Sequence, residues 1–157
     1  MITEKQELIA LVLKDNLLAL NKAKDVLLRS IDRCGDLIDC NNDDEDSLES
    51  CEALSSRFAR AADILTQKVL INIFLLLREK PISFIDKCHL AEKLGIIKNA
   101  EVLIEIRDMR NEVAHEYRIT DMTAFFKQAH EYAKKLVVLI DEVNAYIIEK
   151  NFVVCME

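Results

Sequence analysis

Two glycines and one proline are all the strong turn-forming punctuation in 157 residues. A sheet protein reverses direction many times, and tight reversals draw on those residue types. The chain is therefore expected to be all-α, built from a few long helices. A hydrophobic content of 51% over this length is enough for a real core. With no internal repeat and no dividing linker, residues 1–157 read as a single domain.

Helix boundaries follow from caps and apolar periodicity. Thr3-Glu4-Lys5-Gln6 has the form of a capping box and predicts a first helix. Its apolar stripe would be Ile9, Leu13, Leu17, Leu20, Leu27 and Ile31, and Gly35 its stop. Residues 41–46, all Asn, Asp or Glu, predict a solvated acidic loop. A calcium loop ranks below that, because the central glycine is missing. A second helix is predicted from about Ser47 to Glu79, with Leu54, Phe58, Ala61, Leu65, Val69, Ile73 and Leu76 inward and Pro81 ending it. Its last third, Val69 to Leu77, is apolar on nearly every side and must be covered by a bundle or a partner subunit. A short helix should run from Ser83 to Leu94, opening with Ser83-x-x-Asp86 and stopping at Gly95. A fourth is predicted from Asn99 to about Tyr117 and a last from Asp121 to Lys150, with Phe125, Ala129, Tyr132, Leu136, Ile140, Val143 and Ile147 inward. About five long helices with short connections make an antiparallel helical bundle.

Charge and cysteine usage narrow the function classes. The net charge is −7, with 28 acids against 21 bases. A protein that coats nucleic acid by bulk attraction has the opposite sign, so any RNA must be handled in a local basic cleft. Five scattered cysteines, Cys34, Cys40, Cys51, Cys88 and Cys155, include no Cys-x-x-Cys pair. Free thiols in a reducing compartment are the expectation, with no metal site and no disulfide framework. No export signal is visible, and Val69 to Leu77 is far shorter than the ~20 residues a membrane span needs. The expected location is cytoplasmic, with no membrane association.

The fourth helix carries the chemistry. At about 100° per residue, Val102, Leu103, Ile106, Met109, Val113 and Tyr117 form an apolar face. Glu101, Glu105, Asp108, Glu112 and Glu116 form an acidic face open to water. Ile104, Arg107, Asn111, Ala114 and His115 make a mixed third strip. Arg110 breaks the pattern by pointing into the apolar face, where a charge costs several kcal/mol unless it is paired or opens onto a cleft.

These residues resemble a family. His89-Leu-Ala-Glu-Lys-Leu-Gly95-Ile-Ile, followed by Ala100-Glu-Val-Leu-Ile-Glu-Ile-Arg-Asp-Met-Arg110-Asn111-Glu-Val-Ala-His115-Glu-Tyr117, is similar to HepT toxins of the HEPN superfamily. Arg110, four intervening residues and His115 match the Arg-x(4–6)-His motif. Asn111 fills the polar position after the arginine, and His115-x-Tyr117 matches the narrower HepT form. Arg57-Phe-Ala-Arg-Ala-Ala-Asp63 adds weaker support. The resemblance implies a HEPN-like fold, a homodimer with both motif copies at a shared cleft, and metal-independent RNA cleavage without a cofactor. It also implies a cognate MNT nucleotidyltransferase antitoxin able to transfer AMP onto the motif tyrosine, here Tyr117.

The residue types suit that chemistry. Histidine as a class changes charge near neutrality and serves acid–base work. Arginine offers a fixed, bidentate cation for the phosphate, and the ribose 2′-hydroxyl is its own nucleophile. Arg110 is therefore assigned to the phosphate, His115 to proton transfer, Asn111 to orienting the site and Arg107 to aiding RNA binding. In a straight helix Arg110 and His115 sit about 140° apart, so either the helix ends or bends between them or one site borrows from both protomers. Arg110 and Tyr117, seven apart, would share one face within about 20°.

Blander readings stand beside these. For Arg110 the second-ranked reading is an ion pair to an acid on a neighbouring helix; for His115 it is a helix-terminal histidine favoured by the dipole. Tyr117 as core residue and as modification site stand level. For Arg107 a salt bridge to Glu101 or Glu105 ranks ahead of RNA contact. His89 and His130 read as surface or packing residues. As a whole the chain reads as a HepT-like endoribonuclease toxin. The alternatives are a non-catalytic HEPN subunit that binds substrate or docks for a nucleotidyltransferase, and a helical adaptor with a degenerate motif. The homodimer interface is expected to include the fourth helix and part of Val69 to Leu77.

Overall fold

The computed structural model describes residues 3–39 and 44–153, without the side chains of residues 36–39 and 117. Its elements are α1 (Glu4–Asp39), α2 (Glu45–Ile64), a π turn (Leu65–Val69), α3 (Leu70–Leu76), α4 (Phe84–Lys93), α5 (Ala100–Ala114), a 3-10 turn (Glu116–Arg118) and α6 (Met122–Glu149). The chain runs without a break in helical winding from α2 through the π turn into α3, so the described residues form five helical rods and no strand.

The long rods are antiparallel, as their cross-links show. Between α1 and the second rod, Asn16 donates to Asn72, Arg57 to Ser30, and the Cys34 thiol to the Ser50 carbonyl. Between α1 and α6, Asn21 exchanges bonds with Asn144, Lys24 pairs with Asp141, and His130 meets the Ile31 carbonyl. In each series the number falls on one helix as it rises on the other. The core between the rods holds Leu13, Leu17, Leu20, Phe58, Leu65, Ile73, Leu136 and Ile140, all almost wholly buried. Phe125 against Phe126 at the start of α6, and Tyr146 against Phe152 just past its end, add ring contacts.

The predicted starts hold closely. Thr3 and Gln6 form the capping box, with 3.2 Å bonds in both directions. Ser83 and Asp86 form another at α4, and Asn99 and Asp121 cap α5 and α6. The second helix begins two residues earlier than expected, because Asp44 accepts from the Ser47 amide at 2.7 Å and acts as its cap.

The stops differ more. Gly35 does not end α1, which continues to Asp39. A glycine inside a helix costs only ~1 kcal/mol, and burial of Ile31 and Cys34 beside it outweighs that. Pro81 does not end the second rod either. Arg78 adopts a left-handed φ of 58°, while Glu79 N–H donates to the Phe74 carbonyl and Arg78 N–H to that of Leu75. That pattern is a Schellman stop. The same pattern closes α4 at Gly95 (φ 78°) and α6 at Asn151 (φ 52°).

The apolar segment Val69 to Leu77 is covered mostly by its own chain. Val69, Leu70, Ile73 and Phe74 are buried and Leu75 is exposed, so a partner subunit is not needed to cover it. Asn72 interrupts the run and is buried with its oxygen bonded to Asn16. Among the described residues, no helix is long and apolar enough to cross a membrane.

Candidate functional site

α5 is set by its apolar spacing. Ala100, Leu103, Ile106 and Met109, three residues apart, are buried, while Val102 and Val113 are half-covered. The acidic face is as expected at Glu101, Asp108 and Glu112, which are exposed, and Glu105 lies 3.8 Å from Lys135. Glu116 departs from it. The α-helix has already ended at Ala114, and Glu116 sits in the 3-10 turn with Oε2 buried and without a hydrogen bond. Burial, with Glu52 nearby, pushes its carboxyl above the usual range.

Arg110 does not remain a lone cation on an apolar face. Its Nε donates to Asp63 Oδ1 at 2.7 Å and its Nη2 to Oδ2 at 2.9 Å. The ion pair ranked second from sequence is thus formed, by an acid one residue from the end of α2. Roughly a third of each side chain is exposed, and the Asp63 bonds reinforce the cationic state of the guanidinium. The bidentate contact uses the Nε–Nη2 edge and leaves the Nη1 side of the fork unused by Asp63.

Beside that pair lies an open cleft of about 200 Å³. Asp63, Thr66 and Gln67 line it from α2 and the π turn, Phe84 and Lys87 from α4, and Arg107, Arg110 and Asn111 from α5. The π turn is closed by the Leu70 amide bonding the Leu65 carbonyl five residues back. Such insertions recur at functional sites, and here two of its five residues face the cleft. Three cations against one carboxylate make the lining basic on a chain of net charge −7.

Arg107 does not pair with Glu101 or Glu105. Its guanidinium carbon lies 4.3 Å from the centroid of the Phe84 ring, a cation–π contact. Its Nε is buried without a hydrogen-bond partner, and Asp108 Oδ1 at 3.9 Å is beyond hydrogen-bonding reach.

The motif is therefore divided. Arg107, Arg110 and Asn111 share the cleft, whereas His115 does not line it. His115 is exposed at the C-cap of α5 with φ −117° and ψ 24°. The α-helix ends at Ala114, just before His115, but this end does not bring His115 into the Arg110 cleft. The same break removes the argument that Arg110 and Tyr117 share a helix face, since Tyr117 follows in the 3-10 turn. The side chain of Tyr117 lies outside the described residues.

The remaining candidates fall into packing roles. His130 is buried, its Nε2 2.9 Å from the Ile31 carbonyl, and His89 is exposed. Cys34, Cys51 and Cys88 are free and buried; burial above all pushes the Cys34 thiol up to about 11 and Cys88 to about 12. Thiols held protonated in this way are poor nucleophiles. Cys40 and Cys155 lie outside the described residues, as does the 41–43 part of the acidic run. Among the described residues, no group of three or more His, Cys, Asp or Glu side chains could hold a metal ion.

Gln67, Phe84 and Lys87 were not singled out from sequence, and Asp63 entered only as the end of the 57–63 stretch, with no role assigned. One signal pointed at Asp63: an arginine on an apolar stripe demands a carboxylate on the facing helix, and Asp63 is the acid flanked by the buried and half-buried Ala61, Ala62 and Ile64. Lys87 and Phe84 carried no such mark, because only tertiary packing turns α4 toward this cleft. In comparisons with family models, curated proteins and solved structures, no significant match to the chain was found.

Proposed function

We propose that the chain is a metal-independent endoribonuclease of the HepT type, acting as the toxin of an MNT/HEPN pair. The observation that carries this reading is the basic cleft in which Arg107, Arg110 and Asn111 of the motif helix converge on an otherwise acidic protein. In the proposed reaction the free side of the Arg110 fork holds the scissile phosphate while Asn111 orients it. His115 takes the 2′-hydroxyl proton as the 2′-oxygen bonds to phosphorus and the bond to the 5′-oxygen breaks. The leaving oxygen takes up a proton, and the products are a 2′,3′-cyclic phosphate and a 5′-hydroxyl. The same reading includes a homodimer, a nucleotidyltransferase antitoxin and AMP transfer to Tyr117.

A second reading, a non-catalytic HEPN subunit that binds substrate or docks for a nucleotidyltransferase, is favoured by one observation. His115 does not line the cleft of Arg110 and Asn111, so binding and proton transfer are not gathered in one chain. Pure protein incubated with total RNA in EDTA separates the two. Discrete fragments ending in 2′,3′-cyclic phosphate support the ribonuclease. Retained RNA binding with no cutting on any RNA supports the binding subunit.

A further inference from the structure

We infer that the α4–α5 end of the cleft, formed by Lys87 and Arg107 with Gln67 facing them, is a phosphate subsite separate from the motif arginine. It rests on the RNA reading for the polymer but not for the phosphate chemistry.

Three observations converge. Arg107 Nε is a buried donor with no hydrogen-bond partner, and a buried N–H left unmet is costly, while the rest of the side chain is partly exposed. The guanidinium is held against the Phe84 ring, so it is presented in one orientation rather than waving in solvent. Lys87 lines the same cleft from a different helix, and the sole carboxylate in the lining, Asp63, is already engaged twice by Arg110. Asp108 stands 3.9 Å from Arg107 Nε but outside the lining, so within the cleft the cations face no free carboxylate and an anion there relieves their repulsion. Lys87, Arg107 and the Gln67 amide approach from three elements, an arrangement that suits a tetrahedral oxyanion better than a planar carboxylate.

Arg107 precedes Arg110 by one turn, about 4.5 Å along the axis of α5. A single strand laid along α5 would then meet Arg110 with one phosphate and the Arg107–Lys87 end with a neighbouring one. A free nucleotide phosphate presents the same chemistry. The cleft is too small for a duplex to enter.

Fluorescence anisotropy of a labelled single-stranded RNA on the His115→Ala protein, chosen so that any cutting is slow, tests the subsite across a salt series. Lys87→Ala is expected to weaken binding about tenfold and to reduce the salt slope by about one. Gln67→Ala, at an exposed position, gives a smaller loss in the same direction. Lys68→Ala, exposed and outside the lining, should bind as the parent does. Labelled AMP as a second probe distinguishes the sources: AMP binding that Lys87→Ala weakens, with no RNA binding, assigns the subsite to free nucleotides. Parent-like affinity and slope in both Lys87→Ala and Gln67→Ala overturn the subsite, even if RNA cleavage is intact. A parent protein, His115 intact, that cuts no RNA while these binding effects are retained overturns the ribonuclease reading and leaves the subsite standing.

Discussion

Arg110 and Asp63 form a two-point ion pair across α5 and α2, 2.7 Å through Nε and 2.9 Å through Nη2. The pair fixes the guanidinium plane and determines which edge faces the cleft. Removing the carboxylate should therefore hurt function more than stability. A double-mutant cycle on Asp63→Asn and Arg110→Gln in urea should give a coupling of about 1 kcal/mol, since both groups are partly hydrated. RNA affinity of Asp63→Asn should fall although a negative charge has been removed. An affinity gain would mean that Asp63 merely repels RNA.

For the ribonuclease reading, His115→Ala should lower the cleavage rate by ~10²–10⁴. The exposed ring makes the fold tolerant of its loss, so thermal melting should move little. Arg110→Lys should fail as well, because an ammonium cannot hold Asp63 with one edge and a phosphate with the other. Single-turnover assays in EDTA check both; parent-like cutting by the two variants would sink the assignment.

The left-handed stops differ in strain. Arg78 adopts φ 58° with a full side chain, whereas Asn151 at φ 52° is a residue type that tolerates this region. Arg78→Gly should raise stability by about 0.5–1 kcal/mol, and Asn151→Gly should change it by only a few tenths. Denaturant midpoints at unchanged slope measure both; equal effects would show that strain at Arg78 is not the cause.

Glu116 predicts a pH effect with a definite sign. Burial and then Glu52 raise its carboxyl in the folded state, so the folded form holds its proton more tightly than the unfolded chain. Its contribution is most favourable below the ordinary glutamate value of about 4.3 and is lost as pH rises through the raised folded value. Glu116→Gln should therefore melt roughly 1–2 °C above the parent at pH 7, with the gap closing near pH 4. A gap constant across that range would remove ionisation as its origin.

The scarcity of glycine and proline, the 3.6-residue periodicity and the four polar caps were enough to specify an all-α bundle and to start most helices within two residues. These are local signals, set by backbone propensity and side chains a turn or so apart. The stops were less legible. Gly35 and Pro81 looked like breakers, yet packing carried α1 past the first, and a left-handed Arg78 closed the second rod before the second. The resemblance to the HepT motif also marked Arg110, Asn111, His115 and Tyr117 as a group. Tertiary structure then drew the boundary through that group, because the α-helix ends at Ala114 and puts His115 and Tyr117 into a different turn. It also supplied Asp63, Lys87 and Phe84, which lie 47, 23 and 26 positions from Arg110 in the chain and face its cleft only because α2, α4 and α5 pack together. A pairing between distant residues leaves no periodic trace in either segment, so it is decided by the fold and not by the local sequence.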